Sequence, residues 1–80
     1  MRRVAVDSET IASIGYDPRR RELEIEFRGN GDVYRYFGVS AGEHADFMAA
    51  ESKGTYLNQV FKAEAHHFFV VKEGKRPPVE

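Results

Sequence analysis

The chain contains no cysteine among its 80 residues. A disulfide framework, a thiolate metal site and a cysteine nucleophile are therefore all excluded, and such a chain suits a reducing compartment. Long apolar runs are also missing: no stretch approaches the roughly 20 residues of a membrane helix. The charged start MRRVAVDS is followed by no apolar segment, so it does not read as a secretory signal. Charge of one sign is lacking too, with 12 basic residues against 13 acidic ones. A domain built to hold polyanions normally carries a basic excess, and these totals give none. The expectations from these absences are a cytoplasmic location, no membrane association and no cofactor.

Eighty residues make one small domain. Its stability margin is thin because small domains bury a modest share of their surface, so its large side chains are expected in the core. The clearest strand is RELEIEF, residues 21 to 27, where Leu23, Ile25 and Phe27 alternate with Glu22, Glu24 and Glu26. IASIGY, residues 11 to 16, reads as the strand before it, with Ala12, Ile14 and Tyr16 on one face. Asp17-Pro18 supplies the turn between them. Asn30-Gly31 is a hairpin signal. With a two-residue turn there, Phe27 faces Tyr34, Ile25 faces Tyr36 and Glu26 faces Arg35. A third strand, DVYRYFGV at 32 to 39, then turns Tyr34 and Tyr36 inward.

Ser40 and Glu43 have capping-box spacing before a helix over about 41 to 50, with Ala45, Phe47, Met48 and Ala49 as its apolar surface. A second helix starts near Ser52 to Gly54 and gathers Tyr56, Leu57, Val60 and Phe61 on one arc. HHFFVVK, residues 66 to 72, is a further strand or a cover for the sheet edge. Residues 73–80, EGKRPPVE, read as a mobile tail after a single domain over 1–72. The expected fold class is α+β: an antiparallel β-meander of three to four strands with two short helices packed on one face.

Taken as an ordered set, several stretches resemble the KTSC family from about Ser8 to Val71. They are Ile11 to Asp17, Leu23 to Phe27, Gly31, Tyr34-Arg35-Tyr36, Val39, and Ser52-Lys53-Gly54 with Tyr56 and Asn58. Such domains occur as free-standing bacterial or phage proteins and at the C-terminus of some lysyl-tRNA synthetases. RNA binding has been suggested for the family from that association. The chain departs from the family pattern at Gly29, an extra residue before the turn. It departs again at His66-His67-Phe68-Phe69, where relatives often carry Tyr and Arg.

Enzymatic chemistry finds little footing. Gly38-Val39-Ser40-Ala41-Gly42 spells a nucleophile-elbow motif. That elbow needs a larger sheet, an acid, a histidine and an oxyanion loop, whereas a helix cap explains the same residues. His66 and His67 are neighbours that point to opposite strand faces, and His44 lies at no metal-ligand spacing from them. Glu22, Glu24 and Glu26 read as one solvated face. No catalytic residue and no metal ligand is expected.

The leading site candidate is Ser52-Lys53-Gly54. A helix start with free N–H groups accepts anions, and Gly54 would let a phosphate approach the backbone. Thr55, Asn58 and Lys62 extend the polar strip, and Arg19, Arg20 and Arg21 would steer. The competing structural reading makes Ser52 a cap and Gly54 a break between helices. The expected function is a non-catalytic binding module for RNA or tRNA. The alternative is a protein-interaction module that uses a sheet edge, with a protein partner and a monomeric or weakly dimeric state.

Overall fold

The computed structural model describes residues 1–72 of the chain; the expected mobile tail, 73–80, lies outside the described residues. Five strands form one antiparallel sheet in sequence order: β1 (Arg3–Ala5), β2 (Ile11–Asp17), β3 (Glu22–Phe27), β4 (Val33–Tyr36) and β5 (Phe68–Lys72). Between β4 and β5 run α1 (Ala41–Ala49) and α2 (Lys53–Tyr56), which continues through a π turn (Leu57–Phe61) and a 3₁₀ turn (Lys62–Glu64). The class is the expected α+β, with five strands where three to four were expected. β1 escaped sequence reading because it has three residues, all exposed, and no alternation to reveal it.

The hairpin between β3 and β4 corrects the expected register. Leu23 faces Tyr36, Glu24 faces Arg35 and Ile25 faces Tyr34. The partners have therefore slipped by two residues from the two-residue-turn expectation. The cause is the loop. Gly31 takes the left-handed conformation at φ 77, whereas Asn30 does not, so the paired positive φ of the tight hairpin turn is absent. Asn30 instead accepts a side-chain bond from Asp32 N at 2.9 Å, and Phe27 closes a longer loop by exchanging bonds with Gly31 and Asp32. Side chains alternate with period two, so a slip of two leaves every residue on its expected face. Tyr36 is accordingly buried and Tyr34 half-buried.

A second irregularity changes sides. A bulge between Ile11 and Ser13 puts Ile11 into the core together with Ile14, leaving Ala12 only half-buried. The core then comprises Ile11, Ile14, Leu23, Ile25, Tyr36, Val39, Phe47, Leu57 and Phe61, between one sheet face and the helices. Ser40 caps α1 through Glu43 N and Glu43 reciprocates, the expected capping box. In the π turn, i→i+5 spacing turns each residue through less arc than an α-helix. Leu57 and Phe61 stay buried while Val60, expected on the same arc, points to solvent.

The opposite sheet face corrects the expected row of solvated glutamates. Glu24 is 3 % exposed. β1 brings Arg3 across to it, at Nη1–Oε1 2.9 Å, and Arg35 bonds its other oxygen from the β4 side. Ser13 bridges Arg3 and Glu26. β1 can lie this close because residue 15 is glycine: a Cβ there would sit 2.8 Å from the Arg2 carbonyl oxygen.

Candidate functional site

Two clefts flank the segment before β2. The first is polar, about 450 Å³, and is lined by Asp7 to Thr10 on one side and by Glu51 to Thr55 with Asn58 on the other. The structure thus gathers Ser52, Lys53, Gly54, Thr55 and Asn58 as expected. It also sets three carboxylates, Asp7, Glu9 and Glu51, around the single ammonium of Lys53. Like charge disfavours a phosphate in such a field. Ser52 Oγ accepts from Thr55 N and donates to Thr55 Oγ1, and Lys53 Nζ donates to the Ala50 carbonyl at 3.2 Å.

Gly54 has a steric reason of its own. A Cβ there would meet Thr10 Oγ1 at 2.9 Å and Thr10 Cβ at 3.3 Å. By helix propensity alone, Gly54→Ala should stabilise by about 1 kcal/mol. In the wild-type background we expect no gain or a loss, and in a Thr10→Ala background the gain should appear. Chemical denaturation of the four-member cycle measures this coupling; equal effects in both backgrounds would remove the steric explanation.

The remaining candidates lie elsewhere. Lys62 lines the second cleft. Arg19 to Arg21 are exposed in the β2–β3 turn, where the Asp17 carboxylate accepts from Arg19 N and Arg20 N. That turn is at the far end of β2 from Thr10, about 20 Å away at strand rise.

The second cleft, about 690 Å³, lies where the helices stop short of the β4–β5 side of the sheet. Phe27, Tyr34, Tyr36, Phe61 and Phe68 line it, with Lys62 and His66 on the helix side and Glu9 and Asp32 across from them. Tyr34 and Phe68 stack at 5.3 Å with their planes 11° apart. Burial pushes the Tyr36 hydroxyl up to about 12, with the neighbouring Tyr34 adding to it, so the phenol at the cleft floor stays neutral.

Beside this cleft runs β5. All of its residues are exposed, and Phe68, Phe69, Val70 and Val71 form an uninterrupted apolar run. Phe37 N donates to His67 O at 2.8 Å, which fixes the narrow pairs at Phe37–His67 and Arg35–Phe69. Phe68 and Val70 sit in the wide pairs between them. Their backbone N–H and C=O groups therefore face the outer edge, which no other described strand occupies. The strand-forming residues of HHFFVVK signalled a strand, but only the sheet order shows that it ends the described sheet.

The histidines hold structural contacts that sequence reading missed. His66 Nε2 meets Glu43 Oε2 at 2.7 Å, and His44 stacks on Tyr16 at 4.4 Å. Burial raises the Glu43 carboxyl, but the bonds from His66 and Ser40 outweigh it and leave the pKa below its ordinary 4.5. Burial alone lowers that of His44. Ser40, Glu43 and His66 thus come together in an order unlike a nucleophilic triad: the histidine bonds the acid, and Ser40 Oγ accepts from Glu43 N. Among the described residues no group of three His, Asp or Glu side chains is placed to hold a metal ion. None of the described helices is long and apolar enough to cross a membrane.

Fold and surface together define a small α+β domain: a five-stranded antiparallel meander, helices covering part of one face, and an aromatic cleft beside a strand edge that no other described strand occupies. The sequence model of the KTSC domain matches residues 7–64, and the chain belongs to that family. A KTSC domain protein of Yersinia pestis, solved by crystallography, is similar at 42 % identity and a TM-score of 0.82, over 89 % of this chain and 97 % of that one. An uncharacterized protein of Stutzerimonas stutzeri is 39 % identical over 69 residues, 86 % of this chain and 96 % of its own length. A protein of Tsukamurella paurometabola is 39 % identical over 57 residues, 71 % of this chain and 84 % of its own.

Proposed function

We propose that this domain is a non-catalytic protein-interaction module, acting in the cytoplasm, that takes an extended segment of a partner protein onto the edge of β5. The observation that carries this reading is the edge itself. Native sheets blunt exposed edges with short strands, charges, proline or bulges. β1, at the other edge, is short and carries Arg3. β5 is longer and apolar from Phe68 to Val71; its one charge, Lys72, lies at the end, and its register shift, at Val71, leaves Phe68 to Val70 as regular edge. Main-chain bonds to Phe68 and Val70 would supply affinity, and side-chain alternation would supply specificity.

A random-peptide phage selection against the domain tests this. It should return extended segments rich in β-branched residues. Val70→Pro removes an outward N–H without breaking the ladder to β4 and should weaken their binding more than tenfold, with the amide spectrum of β2 and β3 retained. Peptides that bind Val70→Pro as well as wild type would refute the edge reading.

A second reading rests on the Tyr34–Phe68 pair. Partly exposed parallel rings beside Lys62 suit the stacking of an unpaired RNA base. It moves the proposed RNA contact from the start of the second helix to the aromatic cleft, where Glu9 and Asp32 also lie but the rings offer stacking. Titration with an oligouridylate should then shift the amides of Tyr34, Lys62 and Phe68, and the shifts should fade with salt. A flat response at low salt would eliminate it.

A further inference from the structure

The apolar edge also specifies the strand that fits it. An occupant must offer alternating outward backbone groups, apolar side chains toward both faces, and no charge over the paired residues. β5 meets each requirement itself. We propose that β5 pairs antiparallel with β5 of a second copy about a two-fold axis at Phe69, giving one continuous ten-stranded sheet; this rests on the edge reading above and names its partner.

The register follows from the backbone. The groups that face outward belong to Phe68 and Val70. An axis at Phe69 sets Phe68 opposite the second copy's Val70, and Val70 opposite its Phe68. Each of these becomes a narrow pair that exchanges both N–H···O bonds, so the outward donors and acceptors of both residues are used. Phe69 meets its own symmetry mate across the wide pair between them, where side chains approach most closely. Its ring already stacks on Phe37 at 5.3 Å, and the Arg35 guanidinium lies 5.7 Å from its centre, so it is held in place before pairing. The regular register ends at Val70, because the pairing with β4 shifts at Val71, and Lys72 meets no second lysine. An isologous contact of this kind closes at two copies. Pairing β5 with the short, arginine-bearing β1 of another copy would be head-to-tail and would leave new edges open.

Sedimentation equilibrium from micromolar to millimolar concentration decides the matter. The expected mass rises from 9.1 kDa to twice that and no further. Amide exchange at Phe68 and Val70 should slow over the same range. Val70→Pro should stay monomeric at all concentrations. Phe69→Lys and Phe69→Glu should each weaken the dimer at least tenfold, and an equal mixture of the two should restore it, because opposite charges then meet at the axis. A monomer at millimolar concentration would overturn the second-copy inference while the peptide selection decided the edge reading separately. A dimer that persists in Val70→Pro would place the contact away from β5 and overturn the second-copy inference, with the edge reading again decided by the peptide selection. Growth past two copies, or a charge-swapped mixture that fails to associate, would overturn the two-fold register.

Discussion

Phe47→Ala should lose about 3–5 kcal/mol of folding stability, the range for truncating a buried phenylalanine. The ring is fully buried in α1, with Tyr56 at 5.0 Å and Phe61 at 5.4 Å. It is the contact through which α1 and the second helical segment share one core. An 80-residue domain at about 0.05–0.15 kcal/mol per residue has roughly 4–12 kcal/mol in total. The variant should therefore be partly unfolded at room temperature or melt far below wild type. Phe47→Leu keeps much of the volume and should lose less. Urea denaturation followed by circular dichroism measures both; a loss under about 1 kcal/mol for the alanine variant would mean that α1 is not held by this ring.

Arg35→Ala should be the second costly change, at about 3 kcal/mol, because it leaves Glu24 ionised and buried with Arg3 alone. Burial of the two partners makes the effect asymmetric. Glu24 is 3 % exposed, whereas Arg3 and Arg35 are 30 % and 27 % exposed. Glu24→Gln strands no buried charge and leaves arginines that water can reach, so it should cost less. Burial pulls the Glu24 carboxyl upward, but the bonds and charges of Arg35 and Arg3 outweigh it and hold the pKa below 4.5. A depressed folded-state pKa gives stability that is full above 4.5 and lost as pH falls through the lower folded value. The Arg35→Ala deficit should accordingly shrink as the buried carboxyl protonates. Denaturation at pH 7 and near pH 3 tests this; a deficit unchanged between them would place the arginine's contribution in packing alone.

These residues also show how far the sequence could be read. The Leu-Glu-Ile-Glu alternation named the two faces of β3, and that survived because the hairpin slipped by two rather than one. Which tyrosine faced which partner did not survive, because the turn type depends on whether Asn30 adopts positive φ, and its side chain bonded Asp32 instead. The capping box at Ser40 and Glu43 was legible because both partners lie within one turn. The Glu24 network was not, since β1 gives no periodic signal and arrives from residues far along the chain. The Ser52-Lys53-Gly54 triplet was correctly picked out as a helix start. Nothing local disclosed that Asp7 and Glu9 would line the same cleft, or that Thr10 would occupy the space beside Gly54.

By itself the sequence determined what short-range physics can settle: alternation in β3, the cap of α1, and the helix that begins after Ser52. Hydrogen-bonding reach and side-chain period act within a few residues, so those features are written in adjacent letters. Tertiary structure alone decided which strand ended the sheet, which glutamate lost its water and which cleft kept its aromatic rings open. Each of those outcomes depends on segments distant in sequence competing for the same surface, and the order of the five described strands resolves that competition by placing β5 at the end of the sheet.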